Sequence, residues 1–385
     1  MINSYAVEIR RKLHMYPEIG LNLPNTITFL KAELSKIGVE YTEKYGKNCL
    51  VATLNPEKRS YTIGIRADMD ALPITEENDV EYKSNVEGCM HACGHDAHTA
   101  IALTTLKELY AVKDKINCCV KFLFQSGEEG YSGAKYMVAD GVMDDIDIIV
   151  ALHVDAECRV GEIRLKTGEQ NATADHFSLE FFGKASHVAR QQNGVDANML
   201  AIKAYTAIEF MMAKEIQYND VAIFNAGEIN GGTANNIISD YCRMSCTLRT
   251  WKDETEEKLL QRIKKIAETT AEIYGAKTKM IMESHYPILV NNDEITQKVK
   301  NAAEKVIGAE NIKENIRSMG GEDFAEFAKL KPACMFRLGI ANEAKRKPYA
   351  THSARFDIDE EALDIGVKIF KQFVFDNMNN KVNKG

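Results

Sequence analysis

The sequence predicts an α/β fold that is interrupted by a smaller α+β unit. Short apolar strands alternate with helices in the N-terminal part, and a β-α-β-β-α-β order follows from about residue 174. The alternation of helix and strand then resumes after about residue 286. We therefore predict an α/β domain in two parts, 1–173 and 287–385, and an inserted ferredoxin-like unit over 174–286.

The first part begins with two amphipathic helices. The first covers residues 5–16 and stops at Pro17, and the second is capped by Asn25 and ends at Gly38. Because alternating strands and helices form parallel sheets, polar residues that follow the strands are expected to meet at one edge. The remaining predicted elements of this part are strands at 61–65, 119–124 and 147–152 and a helix from about 97 to 109.

The inserted unit contains two long amphipathic segments between apolar, alternating ones. After it, the sequence predicts a helix near 294–306, a strand at 333–339 and a closing helix over 359–378. The predicted elements of the inserted unit are strands at 176–184, 220–229, 241–250 and 277–284 and helices at 196–215 and 254–275.

The composition excludes several classes of protein. The chain has 385 residues, enough for two or three domains, and its net charge of −8 argues against a nucleic-acid partner. No apolar run approaches the ~18 residues that span a bilayer, and the N-terminus lacks an apolar signal segment. The nine cysteines include no C-x-x-C pair, which favours free thiols. We expect a cytoplasmic protein without a membrane partner.

A dense group of histidines and cysteines precedes the helix that starts near residue 97. Thiolate and imidazole are the ligands that zinc-like ions prefer, so this group is a candidate metal site. The alternative is a helix start that carries histidines by chance. A structural zinc site is disfavoured because the sequence has no second Cys/His pair at ligand spacing. The group comprises Cys89, His91, Cys93, His95, Asp96 and His98.

Acidic residues and a histidine follow two of the apolar strands. Glu128 and Glu129 come after the strand at 119–124, where one carboxylate can bind metal while the other takes a proton from water. An exposed acidic loop is the alternative. His153 follows the next strand and is either a ligand or a buried core histidine. His352 is not assigned by spacing alone.

Nine motifs follow one another along nearly the whole chain. They are RRKLHMYPEIG (10–20), GIRADMDALPI (64–74), HACGHDAHT (91–99), FQSGEEG (124–130), ALHVD (151–155), FFGKASH (181–187), GGTANNIISD (231–240), MGGEDF (319–324) and THSARFD (351–357). In this order they resemble the metal-dependent amidohydrolases. That family includes hippurate hydrolase, N-acyl-L-amino acid hydrolases and indoleacetic-acid–amino-acid hydrolases, within the aminoacylase–carboxypeptidase G superfamily.

The resemblance implies a zinc-peptidase-like catalytic domain that holds two metal ions. Cys93 would bridge the two ions, and Glu128 would act as the general base. Asp68 would orient a histidine ligand, with His95 as the favoured partner. The full ligand set that the resemblance implies is Cys93, His95, Glu129, His153 and His352.

The resemblance also assigns roles to the inserted domain, which would serve as a lid and a dimerisation domain. His187 would reach the site of the partner subunit in a homodimer, or a dimer-based oligomer, and stabilise the oxyanion. Asn236 and Arg249 match substrate-contacting residues, and the planar guanidinium of an arginine fits a substrate carboxylate. The alternative for Arg249 is an ordinary surface residue on a strand.

The expected activity is metal-dependent cleavage of hippurate-like N-acyl amino acids into a carboxylic acid and a free amino acid. Sulfur and imidazole ligands favour zinc, manganese, cobalt or nickel over magnesium and calcium. A dipeptidase or carboxypeptidase of the same superfamily is the alternative, although those branches usually carry His-x-Asp where Arg66-Ala-Asp68 stands.

Two alternatives belong to other functional classes. A non-catalytic binding protein would be expected to have lost Glu128 or a ligand, and none is missing. A redox-sensing thiol protein that uses Cys93 would need no metal, so metal dependence separates it from an amidohydrolase. The acyl group that the enzyme prefers stays open.

Overall fold

The computed structural model describes residues 4–345 and 348–379. Its strands are β1 (Glu40–Thr42), β2 (Leu50–Leu54), β3 (Thr62–Asp68), β4 (Cys119–Gln125), β5 (Ile148–Arg159), β6 (Ile163–Leu165), β7 (Gly168–Asn171), β8 (Ala174–Phe182), β9 (Ser186–His187), β10 (Ala222–Gly231), β11 (Ile237–Ile238), β12 (Tyr241–Thr250), β13 (Lys277–Tyr286), β14 (Leu289–Asn291), β15 (Ile312–Glu314) and β16 (Ala333–Ala341). Its α-helices are α1 (Ser4–Met15), α2 (Pro24–Ile37), α3 (His95–Tyr110), α4 (Gly133–Ala139), α5 (Ala197–Glu215), α6 (Asp253–Ile273), α7 (Asp293–Ile307), α8 (Ala325–Ala328) and α9 (Glu361–Asn377). No α-helix in these ranges is both long enough and apolar enough to cross a membrane.

The chain separates into two compact units. Unit 1 comprises the described residues up to Gln170, then Val290–Ile316, then those from Asp323 onward. Unit 2 comprises Asn171–Leu289 and the short segment Arg317–Glu322. The sequence prediction places that short segment in the second part of the α/β domain. In the structure it contacts other residues of unit 2: the Ala172 backbone amide donates to the Ser318 carbonyl at 3.0 Å, and the Arg317 guanidinium lies 4.8 Å from the centre of the Trp251 ring.

Unit 1 is built on an eight-stranded mixed sheet, with the order β1-β2-β4-β3-β5-β16-β6-β15. Strands β4, β3, β5 and β16 are adjacent and parallel, so their carboxyl ends share one edge of the sheet. All residues of β3 and β4 are buried, as expected for central strands covered on both faces. The predicted α/β fold is confirmed, and the parallel strands carry the polar residues to a common edge.

Glycine is required where α3 begins. Gly94 precedes the helix with φ +87°, a conformation that side chains rarely adopt, and a Cβ there would lie 2.4 Å from Val154 Cγ2. The close approach of the loop to β5 places His95 at the first position of α3.

The start of α2 differs from the sequence prediction. The helix begins at Pro24, whose fixed φ suits the first turn, and Asn25 lies inside that turn instead of capping it. The Glu18 carboxylate accepts hydrogen bonds from the backbone nitrogens of Asn25 at 3.1 Å and Thr26 at 2.8 Å. The unpaired amides of the helix terminus are therefore satisfied by a side chain from the preceding segment.

Unit 2 has the ferredoxin-like element order that the sequence predicts. Its antiparallel sheet has the strand order β10-β12-β8-β13, with α5 between β8 and β10 and α6 between β12 and β13. Phe177 and Phe181 of β8 are fully buried in its core. Strands β9 and β11 form a separate two-stranded ribbon.

Candidate metal centre

Donor side chains from four segments of unit 1 meet at the edge where the parallel strands end. Cys93 and His95 lie at the start of α3, Glu129 follows β4, His153 lies on β5, and His352 lies in the loop before α9. Several sets of three donors have ligand atoms within 4.8 Å of one another, and two of these sets contain predicted ligands alone and share Cys93. The structure brings the five predicted ligands together, and their binding of metal stays a prediction. The groups are Cys93, His95 and His153, and Cys93, Glu129 and His352.

The distances within these groups suit donors arranged around cations. Cys93 Sγ lies 3.4 Å from His153 Nε2, and Glu129 Oε1 lies 3.3 Å from His352 Nε2 and 3.9 Å from His95 Nε2. His153 Nδ1 donates to the Val154 carbonyl at 2.7 Å, which leaves the Nε2 lone pair directed at Cys93. Both groups therefore present unshared electron pairs to a common space.

His95 lacks the hydrogen bonds that a buried imidazole usually has. Its side chain is fully buried, and Nδ1 lies 3.4 Å from Asp70 Oδ1, a long contact that lacks hydrogen-bond geometry. Neither ring nitrogen thus has a well-formed hydrogen bond among the described residues. Burial alone would lower its pKa, but the carboxylates of Asp68, Asp70 and Glu129 outweigh burial and raise the pKa to about 10. The site thus combines several carboxylates with a buried imidazole that makes no well-formed hydrogen bond, and both features fit a bound cation.

The other donors also show the effect of burial and of neighbouring charge. Burial, together with the Glu129 and Glu128 carboxylates, raises the pKa of the Cys93 thiol. Burial, together with the Arg337 guanidinium, lowers the pKa of His153, which keeps its imidazole neutral. Since metal ligands must be deprotonated, a cation bound here would displace the thiol proton.

Asp70 holds the turn that carries the two glutamates, a role that the sequence analysis missed. Its carboxylate is buried and accepts the backbone amides of Glu128 at 3.0 Å and Glu129 at 2.9 Å. Glu128 is only 8% exposed, and its carboxylate lies within 4.8 Å of donor atoms of His95 and Glu129. The sequence feature that could have indicated this role is the acidic residue Asp70 itself, which stands two positions after Asp68 at the end of β3.

Asp68 contacts a different histidine from the one favoured by the sequence analysis. Its Oδ1 lies 2.5 Å from His98 Nδ1, whereas Oδ2 lies 3.7 Å from His95 Nε2. His98 Nε2 accepts the backbone amide of Val154 at 2.9 Å, so both of its ring nitrogens are occupied. His98 therefore positions Asp68 and β5 and offers no free nitrogen to a metal. The Arg66 guanidinium also pairs with Asp68.

The other predicted site residues lie on unit 2. His187 is exposed on β9, and its Nδ1 accepts the backbone amide of Ala189 at 3.1 Å, which leaves the Nε2 proton free to be donated. Asn236 is exposed beside Ile237, which pairs with His187 in the β9–β11 ribbon. The ribbon therefore brings His187 and Asn236 together.

Arg249 is a half-buried cation on β12. Its Nη2 lies 3.3 Å from His176 Nε2, and its guanidinium forms no ion pair with a carboxylate of the described residues. Burial lowers its pKa, because the loss of hydration outweighs the attraction of the Tyr286 hydroxyl and the Asp175 carboxylate. A Cβ at Gly321 would lie 3.2 Å from Arg249 Nη1, so glycine leaves room for the guanidinium.

Unit 2 contains a cluster of titratable side chains that the sequence analysis did not predict. His285 Nδ1 lies 2.9 Å from an oxygen of the buried Asp175 and 3.0 Å from an oxygen of Glu256. Hydrogen bonds to both carboxylates raise the pKa of His285 to about 10. These are hydrogen-bond lengths, so a protonated imidazole joins β8, α6 and β13.

Comparison with known proteins agrees with this geometry. The family model for peptidase family M20/M25/M40 matches residues 64–376. Thermostable carboxypeptidase 1 of Saccharolobus solfataricus is 34% identical over 369 residues, covering 95% of this chain and 93% of that protein. N-acetyldiaminopimelate deacetylase of Priestia megaterium is 33% identical over 384 residues, covering 99% of this chain and 100% of that protein.

A solved structure is also similar over nearly the full length. The crystal structure of the Bacillus subtilis YxeP protein, described as a dinuclear metal-binding peptidase of the M20 family, has a TM-score of 0.78 and 26% identity. The match covers 97% of each chain. The family model spans most of the chain, and the relatives exceed 30% identity over nearly all of it. The chain belongs to peptidase family M20/M25/M40 and is a hydrolase of amide bonds.

Proposed function

We propose that the protein is a metal-dependent amidohydrolase that cleaves N-acyl amino acids into a carboxylic acid and a free amino acid. The observation that carries the proposal is the pair of donor groups that share Cys93. One group adds His95 and His153, and the other adds Glu129 and His352. Two ions with one shared thiolate would use every donor, and the similarity to a dinuclear metal-binding peptidase supports this arrangement.

The donor types limit which ions fit. Thiolate and imidazole ligands favour zinc, manganese, cobalt or nickel over magnesium and calcium, which prefer oxygen ligands. When bound, such ions polarise the amide carbonyl and lower the pKa of a water molecule. The chain therefore needs a nearby base of its own that takes up a proton and releases it again.

Glu128 is suited to be that base. Its carboxylate lies beside the donor groups but is absent from both groups that share Cys93. We propose that it accepts the proton of the attacking water and delivers the proton to the leaving amine nitrogen. Asp70 supports this function because it fixes the backbone at Glu128 and Glu129.

Arg249 is suited to bind the carboxylate of the amino-acid product. A half-buried guanidinium that has no ion pair with a carboxylate among the described residues is expected to bind an anion, and a planar carboxylate accepts two of its hydrogen bonds. We propose that Asn236 contributes a further polar contact to the substrate. Both roles follow from the family resemblance, and the lack of an ion pair at Arg249 in the part of the chain that the structure describes supports the first.

We further propose that unit 1 is the catalytic domain and that unit 2 is a lid that dimerises. The predicted boundaries, 1–173, 174–286 and 287–385, lie close to the limits of the compact units. Strand β10 is ten residues long and lies at an edge of its sheet, with Ile223 45% exposed and Ile229 42% exposed. Such an edge can pair with its own copy across a two-fold axis.

A second copy would also give His187 its proposed role. The Nε2 proton of this exposed histidine is available to a partner site, where it would stabilise the oxyanion. Ile229→Lys is expected to convert a dimer to a monomer in light scattering and to lower turnover. A chain that stays dimeric with Ile229→Lys would contradict the assignment of β10 to the interface.

The cysteines support the proposal that the enzyme works in a reducing compartment, such as the cytoplasm. All nine are free thiols, and all nine are buried. Extracellular proteins usually pair cysteines that can reach each other. Labelling with a thiol reagent after denaturation is expected to find every cysteine reduced in freshly isolated protein.

A carboxypeptidase that acts on peptides is the second candidate. The 34% identity with a thermostable carboxypeptidase favours it, and Arg249 would bind a peptide carboxylate equally well. The two candidates differ only in the group on the carbonyl side of the scissile amide, which is a simple acyl group in one and an amino-acid residue in the other. A substrate panel therefore separates them.

The test measures amino acid released from N-acetyl, N-benzoyl and N-arylacetyl amino acids and from dipeptides. The protein is stripped with chelator, reloaded with Mn²⁺ or Zn²⁺, and compared with Glu128→Gln. We expect metal-restored turnover on acyl substrates and a loss of about 10²–10⁴-fold in Glu128→Gln, with its metal content unchanged. Turnover of dipeptides alone would replace the first candidate by the second, and metal-independent turnover would contradict both.

A further inference from the structure

Arg10, in the first of the nine motifs, has no role in the proposed function, yet it is the centre of a buried network of charges. It lies on α1 with 0% exposure. Its Nε donates to Asp96 at 2.8 Å, and its Nη2 donates to Asp357 at 2.8 Å. A fully buried arginine with two charge-assisted contacts of this length is held in one orientation.

Both acidic partners lie on segments that carry donors of the metal centre. Asp96 directly follows His95 in the first turn of α3. Asp357 lies five residues after His352, in the loop that leads to α9. The contacts join residues that are separated by 86 and 347 positions in the chain. Arg10 is therefore a bridge between two segments that share no secondary-structure element.

Further hydrogen bonds make each end of this bridge rigid. Asp96 Oδ2 also lies 2.7 Å from His14 Nδ1, and Asp357 Oδ2 accepts the Tyr82 hydroxyl at 2.8 Å. At the other end of the 352–357 loop, the His352 backbone amide donates to the Ala92 carbonyl at 2.7 Å. The loop that carries His352 is thus fixed at both of its ends.

We propose that Arg10 is a positioning residue for the metal centre, which sets the position of His352 relative to His95. The inference rests on the proposed function, since it needs these histidines to bind metal. The planar guanidinium meets its two acceptors through different nitrogens, a geometry that the single ammonium of lysine does not reproduce. Side chains behind the ligands in this way typically change metal affinity by about 10–100-fold when they are altered.

A purely structural role would give a different pattern of effects. Buried ion pairs contribute little net stability compared with apolar side chains of similar volume, because desolvation opposes the attraction. Removal of Arg10 alone, however, leaves the buried carboxylates of Asp96 and Asp357 without their counter-ion, so Arg10→Met is expected to melt at a lower temperature than wild type. Arg10→Lys keeps the positive charge and mainly changes the geometry of the bridge. Metal affinity and stability of the metal-free protein are the two quantities that separate positioning from stability.

The experiment compares wild type, Arg10→Lys and Arg10→Met with Arg11→Met as the matched control. Arg11 lies on the same helix and shares Glu360 and the Tyr82 ring with Arg10, but its side chain is 39% exposed and it contacts neither Asp96 nor Asp357, so it tests these two contacts alone. Zn²⁺ affinity is measured by competition with a chelator, and the melting temperature is measured without metal. We expect both Arg10 variants to lose about tenfold or more in affinity, and Arg11→Met to stay near wild type.

Asp357→Asn tests the same bridge from the other side if an Arg10 variant fails to fold. It is expected to weaken Zn²⁺ binding by a similar factor, with a smaller loss of metal-free stability than in Arg10→Met, because Asp96 still neutralises Arg10. Folded Arg10→Lys, Arg10→Met and Asp357→Asn variants with wild-type affinity would overturn the inference, as would an equal loss in Arg11→Met. A wild-type chain that binds no metal pair would instead overturn the proposed function, so the two failures are distinguishable.

Discussion

Single buried carboxylates decide the geometry of the site, and Asp70 is the clearest case. Each of its two oxygens accepts one backbone amide from the turn that carries Glu128 and Glu129. An ionised carboxylate is an acceptor at both oxygens, whereas an asparagine would turn an NH₂ group towards one of the amides. The negative charge is therefore needed for the geometry of the turn.

Asp70→Asn is expected to lower kcat by about 10–100-fold, because the base and one donor lose their fixed backbone. The assay is metal-saturated hydrolysis of the best acyl substrate, with the melting temperature measured in parallel. Asp79→Asn makes the same change at an exposed position and is the control. Unchanged kcat in a folded Asp70→Asn protein would remove Asp70 from the account.

Arg249 is predicted to affect the binding of the substrate and not the chemical step. Arg249→Met is expected to raise KM by roughly thirtyfold, since loss of one partner of a buried charge pair costs about 2 kcal/mol or more. Arg243→Met, on the same strand but exposed and paired with Glu283, is expected to change KM little.

The substrate itself gives a second control for Arg249. An N-acyl amino acid whose carboxylate is converted to an amide should be a poor substrate for wild type. The same amide should be no worse than the free acid for Arg249→Met. Equal discrimination by both proteins would show that Arg249 does not bind the carboxylate.

At the scale of elements, the cluster of His285, Asp175 and Glu256 joins two strands and a helix of unit 2. The pKa of His285 is about 10 in the folded chain, against an ordinary value of 6.5. The folded chain therefore holds this proton more tightly than the unfolded chain. The stabilisation is complete below about pH 6.5 and is lost as the pH rises towards about 10.

His285→Gln should therefore be less stable than wild type at pH 6, and the difference should shrink towards pH 10. The measurement is the difference in melting temperature between the two proteins across this range, so that other titrating groups cancel. A difference that stays constant from pH 6 to pH 10 would contradict a protonated His285.

The elements also show how far the sequence could predict the site. The strands at β3, β4 and β5 and the start of α3 were predictable from apolar runs and from the polar residues that follow them. Spacing alone did not choose among the histidines of the 91–98 segment, since His95 and His98 lie only three residues apart, and only the family resemblance favoured His95. His98 is excluded as a ligand only by Asp68 and the Val154 amide, which come from other strands.

Contacts between residues that are distant in the sequence also explain why the cap of α2 and the role of Asp70 were not predicted. Capping by Glu18 depends on a carboxylate seven residues before the helix amide that it meets, so a local rule favoured Asn25. The acceptor role of Asp70 depends on a turn 58 and 59 residues away. Such partners are fixed by the packed sheet and leave no periodic signal in the sequence.

At the scale of the whole molecule, the fold gathers donors that are far apart in the chain. Cys93 and His352 are separated by about half of unit 1 and by the whole of Asn171–Leu289. The family resemblance predicted this ligand set, whereas spacing alone left His352 unassigned. Parallel strands with a shared carboxyl edge are the physical reason that such distant residues meet.

The central claim is that two metal ions share Cys93 and support amide hydrolysis. Metal content per chain, measured together with turnover in wild type, Cys93→Ala and the buried-thiol control Cys158→Ala, tests it most directly. The account predicts two ions in wild type and Cys158→Ala, and loss of both ions and of turnover in Cys93→Ala, because both donor groups contain Cys93. Full turnover by wild type without bound metal, or two ions retained by Cys93→Ala, would contradict it.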